Sequence, residues 1–136
     1  MSRTMTDRQT FAPTLGEIEA LAQAAIARLP DTFRRFLDGV RLRVEDFPDD
    51  DVMREMGLES PFDILGLYHG HSVARSVDVS GNLPDTVFLY RRPILDEWAE
   101  GGDSLEALVA HVLVHEVGHH FGLSDEDMDR IEAEAD

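Results

Sequence analysis

The chain has 136 residues, 43% of them hydrophobic, a formal net charge of −16 and no cysteine. That length fits one domain able to bury a core without covalent staples, and the missing cysteines exclude disulfides, thiolate metal sites and a cysteine nucleophile. The acidity argues against nucleic acid as a partner, because phosphates would be repelled; it reads first as a solubilising surface and second as a preference for cationic partners.

Residues 1–10 carry charges and hydroxyls but no apolar run, so they read as a flexible tail and not as a secretory signal. No stretch approaches the roughly 18 apolar residues that a membrane span needs. The expectation is a cytoplasmic protein without a membrane or nucleic-acid partner, its tail followed by a single domain over 11–136.

The first helix is predicted to start at Thr14, where Thr14-Leu15-Gly16-Glu17 has the form of a capping box. Leu15, Ile18, Ala22, Ile26 and Leu29 recur at helical spacing and define an apolar face, and Pro30 ends the helix. Asp31 is expected to cap a short second helix carrying Phe33, Phe36 and Leu37, with Gly39 as its stop. Val40 to Glu45 alternates strictly and reads as a half-buried strand. An acidic turn follows from Asp46 to Asp51, and a short helix near 51–56 is weakly signalled. Ile64 to Tyr68 is a second candidate strand, Ser80-Gly81-Asn82 marks a turn, and Thr86 to Tyr90 is a third strand rich in β-branched and aromatic residues. Pro93 opens a short helical piece through Trp98, which Gly101-Gly102 breaks. Asp103, with Glu106 three residues on, is expected to cap a helix running to about His120 and stopping at Gly122; a last acidic helix follows from Ser124. Helices, a few strands, then helices predict an α+β fold.

The residues that carry chemistry lie between His111 and Asp125. His115-Glu116-x-x-His119 has the form H-E-x-x-H. On a helix, residues four apart stand one turn above each other, about 40° apart in azimuth, so two imidazoles can converge on one small cation. Glu116 lies about 100° from His115 and can reach a water on that cation without becoming a ligand. A catalytic zinc needs a third protein ligand and one open position. Gly122, three residues past His119, can take the left-handed conformation that ends a helix, and the returning chain can bring Asp125 toward the metal; Glu126 or Asp129 could replace it if the turn differs. The helix before the motif is apolar on nearly every side, which places it in a core. Burying His115, Glu116 and His119 at its end is costly unless they are paired or hold a metal.

The other candidates divide similarly. His111 and His115 form a second pair at the same spacing, without the following glycine and carboxylate. His120 points about 140° away from His115 and reads as packed or supporting. His69 and His71 could share one face of a strand, though a surface role suits them better. Tyr68 and Tyr90 could donate to a developing oxyanion but read first as packing residues.

The completed pattern, H-E-x-x-H-x-x-G-x-x-D, resembles that of the small bacterial zincin-like metallopeptidases. The likeness extends over Ile64 to Gly70, Leu83 to Leu95 and His115 to Asp125, although His69 stands where an acidic residue is expected. The resemblance implies a compact zincin fold, a small mixed sheet backed by the motif helix. It also implies a Zn2+ cofactor and a peptide or protein substrate lying extended along an edge strand, for which Thr86–Tyr90 is the candidate. In the mechanism it implies, the ion acidifies a water and Glu116 accepts the proton. Met128 follows Asp125 too closely to be assigned as the methionine turn of larger relatives. The competing expectation is a zincin-fold metal-binding protein without hydrolytic activity, serving a structural or interaction role.

Overall fold

The computed structural model describes residues 10–70 and 84–135. Nearly all of the expected tail, the Ser80-Gly81-Asn82 turn and His71 lie outside them. Among the described residues the helices are α1 (Leu15–Arg28), α2 (Asp31–Arg34), α3 (Asp50–Met56), α4 (Arg91–Glu100), α5 (Leu105–His120) and α6 (Asp125–Glu134). The strands are β1 (Arg41–Glu45), β2 (Gly66–His69) and β3 (Thr86–Tyr90). The fold is α+β, a small mixed sheet packed with helices.

Local chemistry sets most boundaries. Thr14 and Glu17 form a complete capping box at the start of α1. The buried stripe of that helix is Ile18, Ala22 and Ala25, whereas Leu15, expected on the apolar face, is 40% exposed. Two expected caps move by one residue. Pro30, with its extended backbone, precedes α2, so Asp31 is already helical and pairs with Arg34. Ser104, not Asp103, caps α5 by accepting from the Ala107 amide; a serine hydroxyl reaches that amide from the position directly before the helix. Helix α4 begins at Arg91, straight from β3, so Pro93 lies inside its first turn, where no amide hydrogen is needed.

The sheet order is β1-β3-β2, with β1 parallel and β2 antiparallel to β3. The expectation that Thr86–Tyr90 is an edge strand is therefore wrong: β3 is central. Its burial explains this, since Thr86, Val87, Leu89 and Tyr90 are all buried and both faces are covered. Among the described residues the edges are β1, whose arginines point to solvent, and β2.

Helix α5 runs through the middle of the core. Val109, Leu113, Val114 and Val117 are fully buried, together with Ile18 of α1, Leu89 of β3, Ile94 of α4 and Met128 of α6. Two glycines permit the close approaches. A Cβ on Gly66 would lie 2.9 Å from both the Phe88 carbonyl oxygen and Val112 Cγ1, and 3.3 Å from Glu116 Cγ. A Cβ on Gly118 would collide with the Met128 thioether. Helix α5 thus lies directly on β2, and α6 directly on α5.

Candidate metal centre

The hairpin of α5 and α6 builds the site. Helix α5 ends in a Schellman motif: the Leu123 amide donates to the Gly118 carbonyl and the Gly122 amide to the His119 carbonyl. Gly122 sits at φ 78, the left-handed conformation expected of it. Ser124 then caps α6 by accepting from the Asp127 amide. With Asp125 as the first helical residue, α6 returns antiparallel along the face of α5 that carries His111, His115 and His119.

One donor atom each from His115, His119 and Asp125 lie within 4.8 Å of one another. His119 Nε2 is 3.7 Å from Asp125 Oδ1. Donors about 2.0–2.1 Å from a tetrahedral zinc are roughly 3.4 Å apart, close to the His119–Asp125 separation. Two imidazoles and a carboxylate with an open side suit zinc chemically, and the residues therefore fit the ion. Glu126 and Asp129 belong to no convergent group of donors among the described residues.

Burial divides these donors. His115 is half-buried, with 19% of its side chain exposed, whereas the side chains of His119 and Asp125 are 60% and 84% exposed. The expectation that His119 is buried with the motif is thus corrected. Core burial follows α5 only as far as Val117 and Gly118, and the last turn emerges at the surface.

Glu116 is held from the other side. It lies over Gly66 of β2, and its carboxylate is near the Tyr68 backbone amide. Burial raises its pKa; the neighbouring His119 and the Tyr68 amide oppose that rise. The register explains why this amide is available. The Tyr90 amide donates to the Leu65 carbonyl, so along β2 the backbone groups of Gly66 and Tyr68 turn away from β3.

Both tyrosines are packed. The Tyr68 hydroxyl donates to Asp85 at 2.8 Å and its ring stacks on His120 at 3.9 Å between centroids, which also accounts for His120. Burial, then Asp85, pushes the Tyr68 pKa upward. Tyr90 is 1% exposed, and burial raises its pKa too. His69 is exposed at the end of β2.

Glu132 is the residue that sequence reasoning missed. Its Oε2 lies 3.0 Å from His115 Nε2 and its Oε1 3.1 Å from His111 Nδ1. The available signal was spacing: Glu132 follows Asp125 by seven residues, two helical turns, so both face α5 with Met128 between them.

The profile of the zincin-like metallopeptidase family matches residues 37–135, a span that includes β1, the whole sheet and the α5–α6 hairpin. The chain belongs to that family. No curated protein matches it. Among solved structures, it is similar to a conserved hypothetical protein from Thermus thermophilus, with 27% identity and a TM-score of 0.54 over 79% of this chain and 94% of that one.

Proposed function

We propose that the protein is a zinc-dependent peptidase in which His115, His119 and Asp125 hold the ion and Glu116 is the general base. One observation carries the reading: a partly buried carboxylate, Glu116, with a raised pKa lies beside three convergent donors in a chain of this family. Zinc, when bound there, supplies Lewis acidity and lowers the pKa of a water to about 7.

The chain's own residues do the rest. Partial burial makes Glu116 a stronger base than an exposed glutamate. Glu116 accepts the proton of the attacking water and passes it to the leaving amine. The substrate pairs with β2, whose Gly66 and Tyr68 backbone groups turn away from β3 and have no strand partner among the described residues. This replaces β3, which is enclosed by its neighbours. The Tyr68 hydroxyl is committed to Asp85, so Tyr68 contributes its backbone and ring and not an oxyanion donor.

The test is Glu116→Gln assayed on a peptide library with zinc content measured in parallel. Hydrolysis is expected to fall by about 10²–10⁴-fold while zinc content is retained. Equal activity in both proteins would overturn the reading. The exposure of His119 and Asp125 favours a second reading, a metal-holding protein without hydrolysis, since such an open site desolvates a substrate little. That reading predicts zinc-dependent stability with no cleavage of any library member.

A further inference from the structure

We infer that His111, His115 and Glu132 form a second position for a zinc-like divalent cation, sharing His115 with the first, so that one ion occupies one position or the other. The inference rests on the reading of His115 as a metal ligand, but not on peptidase activity.

Two imidazoles one turn apart on α5 converge on a single carboxylate of α6. Glu132 uses one oxygen for each ring: Oε1 to His111 Nδ1 at 3.1 Å and Oε2 to His115 Nε2 at 3.0 Å. One donor atom from each of the three residues lies within 4.8 Å of the other two. In a tetrahedral zinc site such atoms are roughly 3.4 Å apart, so both nitrogen–oxygen pairs need open by only a few tenths of an ångström. Two nitrogens and one carboxylate are a donor set for zinc and its transition-metal neighbours, and not for magnesium or calcium, which take oxygen.

The alternative account is that Glu132 merely orients His115 as a ligand of the first position, as carboxylates commonly do. It leaves His111 unexplained. The His111 and His115 rings lie 4.0 Å apart, and both are turned to the same carboxylate. The site is also accessible: 52% of the His111 side chain and 26% of the Glu132 side chain are exposed.

Sharing makes the positions compete. A ring nitrogen has one in-plane lone pair, and Nε2 of His115 is directed at Glu132. An ion drawn to that nitrogen leaves His119 and Asp125 with only each other. Excess zinc would then hold a share of the protein with its first position incomplete.

The experiment is calorimetric titration of Zn2+ alone, with visible absorption of Co2+ as a second readout, on the full chain. The proteins are wild type, His119→Ala/Asp125→Ala, His111→Ala/Glu132→Gln, His115→Ala, and the first double variant carrying His111→Ala as well. His111, His119 and Asp125 are mostly exposed, so truncating them leaves the core intact, and circular dichroism confirms the fold of each. Wild type and both double variants are expected to bind one ion each. The triple variant and His115→Ala should bind at least about 100-fold more weakly, the upper end of what loss of a mere supporting partner costs. The inference is overturned if the His119→Ala/Asp125→Ala protein binds no better than His115→Ala, if its binding survives His111→Ala, or if wild type binds two ions. If, of the two double variants, only the His111→Ala/Glu132→Gln protein fails to bind, the second position stands and the first falls. Absence of hydrolysis strikes the peptidase reading alone, because every arm reads bound ion.

Discussion

Tyr68 shows how one residue serves the sheet, the helix end and the surroundings of the candidate base together. Its backbone lies near Glu116, its ring supports His120 and its hydroxyl is bound by Asp85. Tyr68→Phe removes only the hydroxyl. At neutral pH this is expected to cost about 1.5 kcal/mol, as for a hydrogen bond to a charged acceptor. The sign of its pH dependence follows from linkage. The folded protein keeps the phenol proton beyond its ordinary pKa of 10, whereas the unfolded chain loses it there. Above pH 10 the native state therefore binds more protons than the unfolded one, and stability falls as pH rises. Denaturant melts at pH 8 to 11 should show a shallower alkaline loss for Tyr68→Phe than for wild type; parallel slopes would contradict the assignment.

At the scale of elements, two glycines decide how closely three elements meet. Gly66 lets α5 rest on β2 so that Glu116 lies near the Tyr68 amide, and Gly118 lets the Met128 side chain lie against α5. Gly66→Ala places a methyl against a backbone carbonyl, which cannot rotate away, and is expected to cost about 1–3 kcal/mol in urea unfolding. Gly118→Ala meets a side chain instead. Met128 is fully enclosed, so it moves only by disturbing the core, but alanine also restores up to about 1 kcal/mol of helix propensity. The ordering expected from chemical denaturation is therefore wild type, then Gly118→Ala, then Gly66→Ala as the least stable. The reverse order would mean that α5 and β2 are less tightly apposed than α5 and α6.

For the whole molecule, a bound ion would clamp the α5–α6 hairpin, which otherwise rests on Met128, Leu123 and Ile131 against the core. Ligand binding to the folded state alone stabilises it by about 2.7 kcal/mol at a hundredfold excess over Kd. For a chain of this size that corresponds to roughly 10 °C in melting temperature. Calorimetric scans with zinc and with a chelator should differ by this amount, and the difference should grow with free zinc; identical scans would exclude a metal on the hairpin. The same scans bear on the −16 charge only weakly, since the donors sit together on one hairpin while acidic groups are spread along the chain.

The elements and much of the hairpin were legible in the sequence because their causes are local. The capping box at Thr14, the alternation in β1 and the glycine that ends α5 each act within a few residues. The H-E-x-x-H spacing likewise places His115 and His119 on one helix face before any tertiary contact exists. Even the central position of β3 had a signal, its lack of alternation, which suits a strand covered on both faces better than an edge. What only the tertiary structure decided was pairing across elements: that β1 and β2 flank β3, that Glu116 lies over Gly66 of β2, and that α6 presents Glu132 to His111 and His115. Burial was decided there too, leaving His115 half-covered and His119 in solvent at the end of an apolar helix. The physical reason is range. Hydrogen bonds along the chain follow from neighbouring residues, whereas the approach of β2 and α6 to α5 depends on what two distant glycines leave empty.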